Sequence, residues 1–330
     1  MIDNELNPCY ILFCHYGNSD YLYYTLKQAK LTNPGSHVVL LGDNENEHIA
    51  KKAKVEHYHF KDFYTTNEIK TFDKVYKHVA GVKHGKEFWT NFVFKRWFYI
   101  HGFVKEKNIN SFWHFDSDNL ILTNLKNQEF KFVGYDCTEQ CNGKCINGFV
   151  SSFKVIDGYV KKINELFQDE NYLNIQRKDF KKHPNYAFTE MRAYTAYKNQ
   201  ENVNSIRLNT IKNNESFDDC ICMNHGYDTY NEPLKNQFLK KIYFNKQGEF
   251  FCYHKESSSY IKMMSLNLSW VPTKLFKLVC NTFKKYFLKK HKYNANTYIL
   301  LNIYKANSLR TCILSPIPKP IKKRIKGWLK

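Results

Sequence analysis

The sequence predicts an α/β fold: a mixed, mainly parallel sheet flanked by helices, with a basic helical extension at its C-terminal end. Three observations predict it. Short, wholly apolar runs alternate with segments of helical period through the first half of the chain, and a strand buried on both faces reads as such a run. The segments joining these runs are long enough to be helical crossovers, which parallel strands require. Charge is also unevenly placed: residues 257–330 hold sixteen Lys and Arg and no acid, leaving only +3 of the net +19 to the first 256.

The elements follow in order. Cys9–Cys14 is a short apolar run read as the first strand, and the polar turn His15-Tyr16-Gly17-Asn18-Ser19 follows it. Ser19 or Asp20 is placed to cap a helix running to about Leu31. Asn33-Pro34-Gly35 stops that helix, and His37–Leu41 is a second strand ending at Gly42-Asp43. Residues 57–60 read as a third strand, with polar, helical sequence to about Lys86. Phe92, Lys95, Arg96, Tyr99 and Phe103 fall at helical spacings and predict one long helix over Phe88–Lys107. Ser111–Phe115 is another buried strand, which runs into Asp116-Ser117-Asp118-Asn119. Phe130–Tyr135 reads as a further strand, Lys154–Phe167 and Phe188–Asn199 as helices, and Lys241–Tyr253 as a hairpin turning at Asn245–Gly248. From Pro272 apolar residues alternate with lysines in a helical pattern, and a cationic tail with Trp328 follows the prolines at 316–320.

Length and composition bound the function. A chain of 330 residues with 43% hydrophobic and 25% charged residues is globular, large enough for one sizeable α/β domain with additions. No run approaches the roughly 20 apolar residues of a membrane-spanning helix, and the acidic start, Met1-Ile2-Asp3-Asn4-Glu5, is unlike a signal peptide. The expectation is a cytoplasmic protein whose ten Cys are free thiols, with residues 271–330 able to meet an anionic membrane surface. The spacing of Cys137, Cys141 and Cys145 does not match a paired zinc ribbon, so structural zinc is the minor reading.

The strongest local signal is the carboxylate pair Asp116 and Asp118 at the end of a buried strand. Open α/β sheets bind ligands beyond the carboxyl ends of their strands. Two carboxylates there suit Mg²⁺ or Mn²⁺, which bridges the protein to clustered phosphate charge. An ordinary solvated turn is the competing reading, since such triplets are short.

Several stretches, in order, resemble glycosyltransferases of the GT-A class, across roughly residues 8–270. Tyr10–Lys30 is similar to their first strand, nucleotide-facing loop and helix, and Val38–Asp43 to their second strand with its acidic end. Phe94-Lys95-Arg96-Trp97-Phe98, then Phe112–Asp118, resembles the basic helix feeding the metal-binding Asp-x-Asp. Cys145-Ile146-Asn147-Gly148-Phe149 resembles the stretch lining the sugar and acceptor pocket, and Phe188-Thr189-Glu190-Met191 the acidic motif near the reacting carbon. The resemblance implies a GT-A-like (Rossmann-like) catalytic domain over 1–270, with a donor half 1–125, an acceptor half 126–270 and a basic extension 271–330. It implies a nucleotide diphosphate-sugar donor, a glycan or lipid-linked acceptor, and Mn²⁺ or Mg²⁺. Asp118 would be the direct metal ligand, with Asp116 beside it facing the donor's ribose or sugar. Tyr16, Asn18, Asp43, Lys95, Arg96 and Ser117 would line the donor site. Asn147 would bind sugar hydroxyls, Gly148 would allow close backbone approach, and Glu190 would be the base or a stabilising carboxylate.

One departure concerns the third metal ligand. A late His supplies it in many such enzymes, whereas Asn267 falls at the corresponding place in Met264–Trp270, with His254 or His225 as substitutes. Two other readings compete. A sugar nucleotidyltransferase would carry a Gly-rich basic loop after its first strand, but His15–Asp20 has one Gly and no Lys or Arg. A basic nucleic-acid-binding protein accounts for the net charge, yet that charge lies outside the catalytic body and no nucleic-acid motif accompanies it.

Overall fold

The computed structural model describes residues 8–232, 237–287 and 297–301. The chain divides into two compact units, Met1–Thr210 and Ile211–Lys330.

In the first unit, β1 (Tyr10–Cys14), α1 (Leu22–Thr32), β2 (His37–Gly42), α2 (Glu47–Ala53) and β3 (Glu56–His59) alternate as expected. Two helices follow, α3 (Asn67–Val75) and α4 (Glu87–Glu106), then β4 (Phe112–Phe115) and the short β5 (Asn119–Ile121). The unit continues with β6 (Cys137–Gln140), β7 (Cys145–Val150), α5 (Phe153–Gln168), α6 (Glu170–Lys182), α7 (Glu190–Gln200) and β8 (Ser205–Arg207). The seven-stranded sheet has the order β3-β2-β1-β4-β7-β6-β8. β1 pairs in parallel with β2 and β4, β2 with β3, and β6 with β8, while β7 runs antiparallel to both neighbours. This is the mixed, mainly parallel sheet that the sequence predicts.

The alternation of strand side chains divides the core. Leu12 and Cys14 of β1, with Val39 and Leu41 of β2, join Phe94, Trp97 and Phe98 of α4 and Ile156, Tyr159 and Ile163 of α5 in one buried cluster. Ile11, Phe13, Val38 and Leu40 point the other way and are buried as well. Strands covered on both faces explain why these runs are apolar throughout.

Two expectations are corrected. Phe130–Tyr135 is not a strand: a 3₁₀ segment occupies Lys126–Phe132. Phe130 and Val133 are exposed and Phe132 alone of the three is buried, a spacing that a turn satisfies and a buried strand does not. The strand that does follow, β6, reads as polar Cys-Thr-Glu-Gln, and all four residues are buried. Neither Ser19 nor Asp20 caps α1. Its N-cap is Tyr21, whose side chain makes no capping hydrogen bond, and the Ser19 hydroxyl pairs with His15 at 3.0 Å.

The second unit holds β9 (Glu215–Phe217), β10 (Thr229–Glu232), β11 (Gln237–Lys240), β12 (Tyr243–Phe244), β13 (Phe250–His254), β14 (Ser259–Asn267), α8 (Thr273–Phe287) and β15 (Ile299–Leu300). β12 and β13 form an antiparallel pair through the expected turn at Asn245–Gly248, β13 pairs antiparallel with β14, and β9 joins β14 in parallel. α8 is the amphipathic helix expected after Pro272. Its apolar stripe, Leu275, Phe276, Val279 and Phe283, is buried. That packing accounts for the pattern, so these side chains are not presented to a lipid surface. The cationic tail with Trp328 lies outside the described residues. Among the described residues no helix is long and apolar enough to cross a membrane.

Candidate active site

The strand order locates the site. From β1 the chain moves outward through β2 and β3, then returns to the opposite side of β1 as β4. Loops leaving the carboxyl ends of β1 and β4 therefore diverge at a topological switch point, where open α/β sheets hold ligands. The loop after β1 begins at His15, and the loop after β4 is Asp116-Ser117-Asp118.

These two loops are bonded together. His15 Nδ1 lies 2.8 Å from Ser117 Oγ, and Thr25 Oγ1 of α1 donates to the Ser117 carbonyl at 2.7 Å. Asn119 closes the turn, its backbone and side-chain nitrogens both donating to the Asp116 carbonyl. The loop after β2 braces the same region. Asp43 accepts the Gly17 backbone N–H at 2.6 Å and that of Glu45 at 2.9 Å, and Asn46 donates to the carbonyls of His15 and Gly17. Burial pushes the His15 pKa down to about 4, so the ring is neutral around pH 7.

Beneath the turn lies a charged triad. Arg96 of α4 donates to Asp116 Oδ1 at 2.6 Å and to Glu190 Oε1 at 3.0 Å. Its side chain is 12% exposed and that of Glu190 5%. Burial disfavours the guanidinium charge, but Asp116 and Glu190 overcome that effect and hold its pKa above the ordinary value. For Glu190, burial raises the pKa and the negative Asp116 adds to it. Arg96 pulls the other way, and the result is about 7. Glu190 begins α7, and its Oε2 is buried without a hydrogen-bond partner. His114 packs against this network. Its Nδ1 must donate to the Leu12 carbonyl, 3.1 Å away, which leaves Nε2 as a bare lone pair 4.0 Å from Asp116 Oδ1. Burial lowers the His114 pKa to about 4.

The other expected residues take varied places. Asp118 is half-buried and accepts Asn119 Nδ2 at 3.3 Å. Tyr16 is 50% exposed, its ring 4.9 Å from Phe88, and Asn18 is exposed beside it. Asn147 is buried with an unpartnered Oδ1. Gly148 stands opposite His114 in the β4–β7 ladder with φ +99, and a Cβ there would lie 2.3 Å from Thr138 Oγ1. Lys95 does not join the triad; its ammonium pairs with Asp73 of α3 at 2.8 Å. Arg96, expected to line the donor site, is engaged by two carboxylates. His254 on β13 and Asn267 at the end of β14 belong to the second unit. Asn267 is tied within it to Asp219 and Ser269, and His254 to Ser257. His225 lies in the same unit, 3.8 Å from Asp219.

His15 and His114 join this network, and the sequence reading did not single them out. His114 stands two residues before Asp116, and on a strand that spacing puts both on one side. Of the cysteines, Cys137 Sγ lies 3.5 Å from the Tyr194 hydroxyl. The nine described cysteines are free thiols.

Asp118, with the oxygen of Asp116 that Arg96 leaves over, provides the hard oxygen donors that Mg²⁺ and Mn²⁺ prefer. The carboxylate pair thus fits the expected ion.

No family model matches the chain, and no curated protein does. Among solved structures it is similar to GlyE, a glycosyltransferase of Streptococcus pneumoniae TIGR4, at 10% identity and TM-score 0.42, over 88% of this chain and 66% of that one. It is similar to the apo form of mouse xyloside xylosyltransferase 1 at 10% identity and TM-score 0.41, over 63% and 87% of the two chains. For the PaToxG glycosyltransferase the values are 9%, 0.35, 58% and 68%. Such a likeness concerns the fold alone and identifies neither donor nor acceptor.

Proposed function

We propose that this chain transfers a sugar from a nucleoside diphosphate-sugar to an acceptor hydroxyl on a glycan or lipid-linked saccharide. The observation that carries the reading is the Asp116-Ser117-Asp118 turn at the switch point of the sheet, buttressed from below by Arg96 and Glu190. Asp118 and Asp116 would hold Mg²⁺ or Mn²⁺, which when bound offsets the charge that develops on the departing diphosphate.

The chain's own residues would do the rest. Arg96, bonded to Asp116 and Glu190 at once, would fix the position of both carboxylates. His15 holds Ser117, and through it the orientation of the turn. Glu190, with a pKa of about 7 and an unpartnered oxygen, is suited to take a proton from an acceptor hydroxyl near neutral pH. Tyr16 and Asn18, exposed on the loop after β1, would contact the base.

The test is calorimetric titration with nucleoside diphosphates and nucleotide sugars in Mn²⁺, comparing wild type with Asp118→Ala. Metal-dependent binding of one nucleotide, lost in the variant while circular dichroism is unchanged, supports the reading. If folded wild-type protein neither binds nor hydrolyses any nucleotide sugar with Mn²⁺, the reading fails and the turn is an ordinary one.

A further inference from the structure

Away from the Asp116 turn, α3, α4 and α5 bring Glu68, His101 and Asp157 together. One ligand atom from each lies within 4.8 Å of the others, and an imidazole nitrogen of His101 is 3.0 Å from Asp157 Oδ1. We propose that these three side chains form a second divalent-cation site, for a metal of the zinc class, that ties the three helices together. It is independent of the donor-site reading and shares no residue with it.

The donor set has the right chemistry. One imidazole and two carboxylates provide three ligands of a tetrahedral zinc centre, with water for the fourth. At zinc–ligand distances of about 2.1 Å, tetrahedral donors lie roughly 3.4 Å apart, within the spread the three residues already show. His101 is fully buried, and burial lowers its pKa, favouring the neutral ring that a metal requires.

The protein bonds at this cluster are incomplete. His101 Nδ1 and Glu68 Oε2 are both buried and neither has a hydrogen-bond partner. A buried acceptor without a donor, as at this Glu68 oxygen, is uncommon, and a cation held with His101 Nε2 and Asp157 Oδ1 would satisfy it. Charge agrees as well. With the ring neutral, Glu68 and Asp157 supply two negative charges and Lys161 returns one, its ammonium 2.7 Å from Asp157 Oδ2. That bond engages the outer oxygen and orients the inner one, as a supporting shell does for a ligating carboxylate. Lys105 is the other cation acting on the ring.

The experiment uses metal-stripped full-length protein, with Zn²⁺ and Co²⁺ as probes. Zn²⁺ should raise the melting temperature of wild type by several degrees, and bound Co²⁺ should give a visible absorption band. Glu68→Gln and Asp157→Asn should each weaken Co²⁺ binding by at least about tenfold while keeping the circular dichroism of wild type. Asp118→Asn should keep both the Co²⁺ band and the Zn²⁺ shift, which separates this site from the donor site. The proposal is overturned if Zn²⁺ leaves the melting temperature unchanged. It is overturned equally if Co²⁺ binding survives Glu68→Gln and Asp157→Asn, or vanishes in Asp118→Asn alone.

Discussion

Replacing Glu190 by Gln probes the triad most directly. The side chain is 5% exposed, and burial raises its pKa from 4.5 to about 7. A carboxyl whose folded pKa is raised favours the folded state below its unfolded pKa, and that contribution is lost as pH rises through the folded value. From the two pKa values, the loss approaches about 3 kcal/mol in full and comes to about 2 kcal/mol between pH 5.5 and 8. An amide of the same shape does not titrate, so Glu190→Gln removes this dependence. His15 and His114, with lowered pKa values, gain stability as pH rises over the same range. They are present in both proteins, so the difference between variant and wild type isolates Glu190. Urea unfolding in chelator at pH 5.5 and pH 8 is the assay. The variant should become more stable relative to wild type at pH 8 than at pH 5.5, by about 2 kcal/mol. A stability difference that stays constant across the two pH values would refute the argument. Sugar transfer by the variant should fall by about 10²-fold or more if Glu190 is the base.

Two further perturbations test the frame around the site, and one tests the core of the second unit. Gly148→Ala places a methyl group against Thr138 Oγ1 and Leu208 at a positive φ, and chemical denaturation should show a loss of about 2 kcal/mol or more. Trp97→Ala empties a fully buried position between His114 and Tyr159, whose rings lie 4.9 and 5.4 Å away; calorimetry should register a loss of about 3–5 kcal/mol. In the second unit, Lys240 and Asp218 form a buried ion pair at 2.5 Å. Lys240→Met strips Asp218 of its ammonium and should destabilise the protein by about 3–5 kcal/mol, measured in urea.

The parallel half of the sheet was legible because its strands are covered on both faces. Cys9–Cys14, His37–Leu41 and Ser111–Phe115 could be buried only as apolar runs, and β1, β2 and β4 lie there. β6 was not legible, since its buried polar groups are satisfied by distant partners. Glu139 alone accepts from Tyr194, Lys198 and Ser205. Local pattern carries no trace of those bonds. The Asp116 turn could be located from its place after a strand, but the triad could not. Arg96 reaches Asp116 across 20 positions and Glu190 across 94, and a basic residue on a helix face reads alike whether it meets a phosphate or a neighbouring carboxylate. The departure at α1 has the same origin: Ser19 has the chemistry of a cap, but His15 competes for its hydroxyl.

The interior place of β1 also governs when the fold can form. β1 is hydrogen-bonded on one side to β2, which follows closely, and on the other to β4, where Ile11 pairs with Trp113. Until residues 112–115 have emerged from the ribosome, one edge of this interior strand remains open. Its apolar side chains at that stage lack the cover of α5. Long-range parallel pairing of this kind closes slowly, because a large loop must be ordered before the pairing compensates for it. A nascent chain of roughly the first hundred residues is therefore the form most in need of chaperone protection.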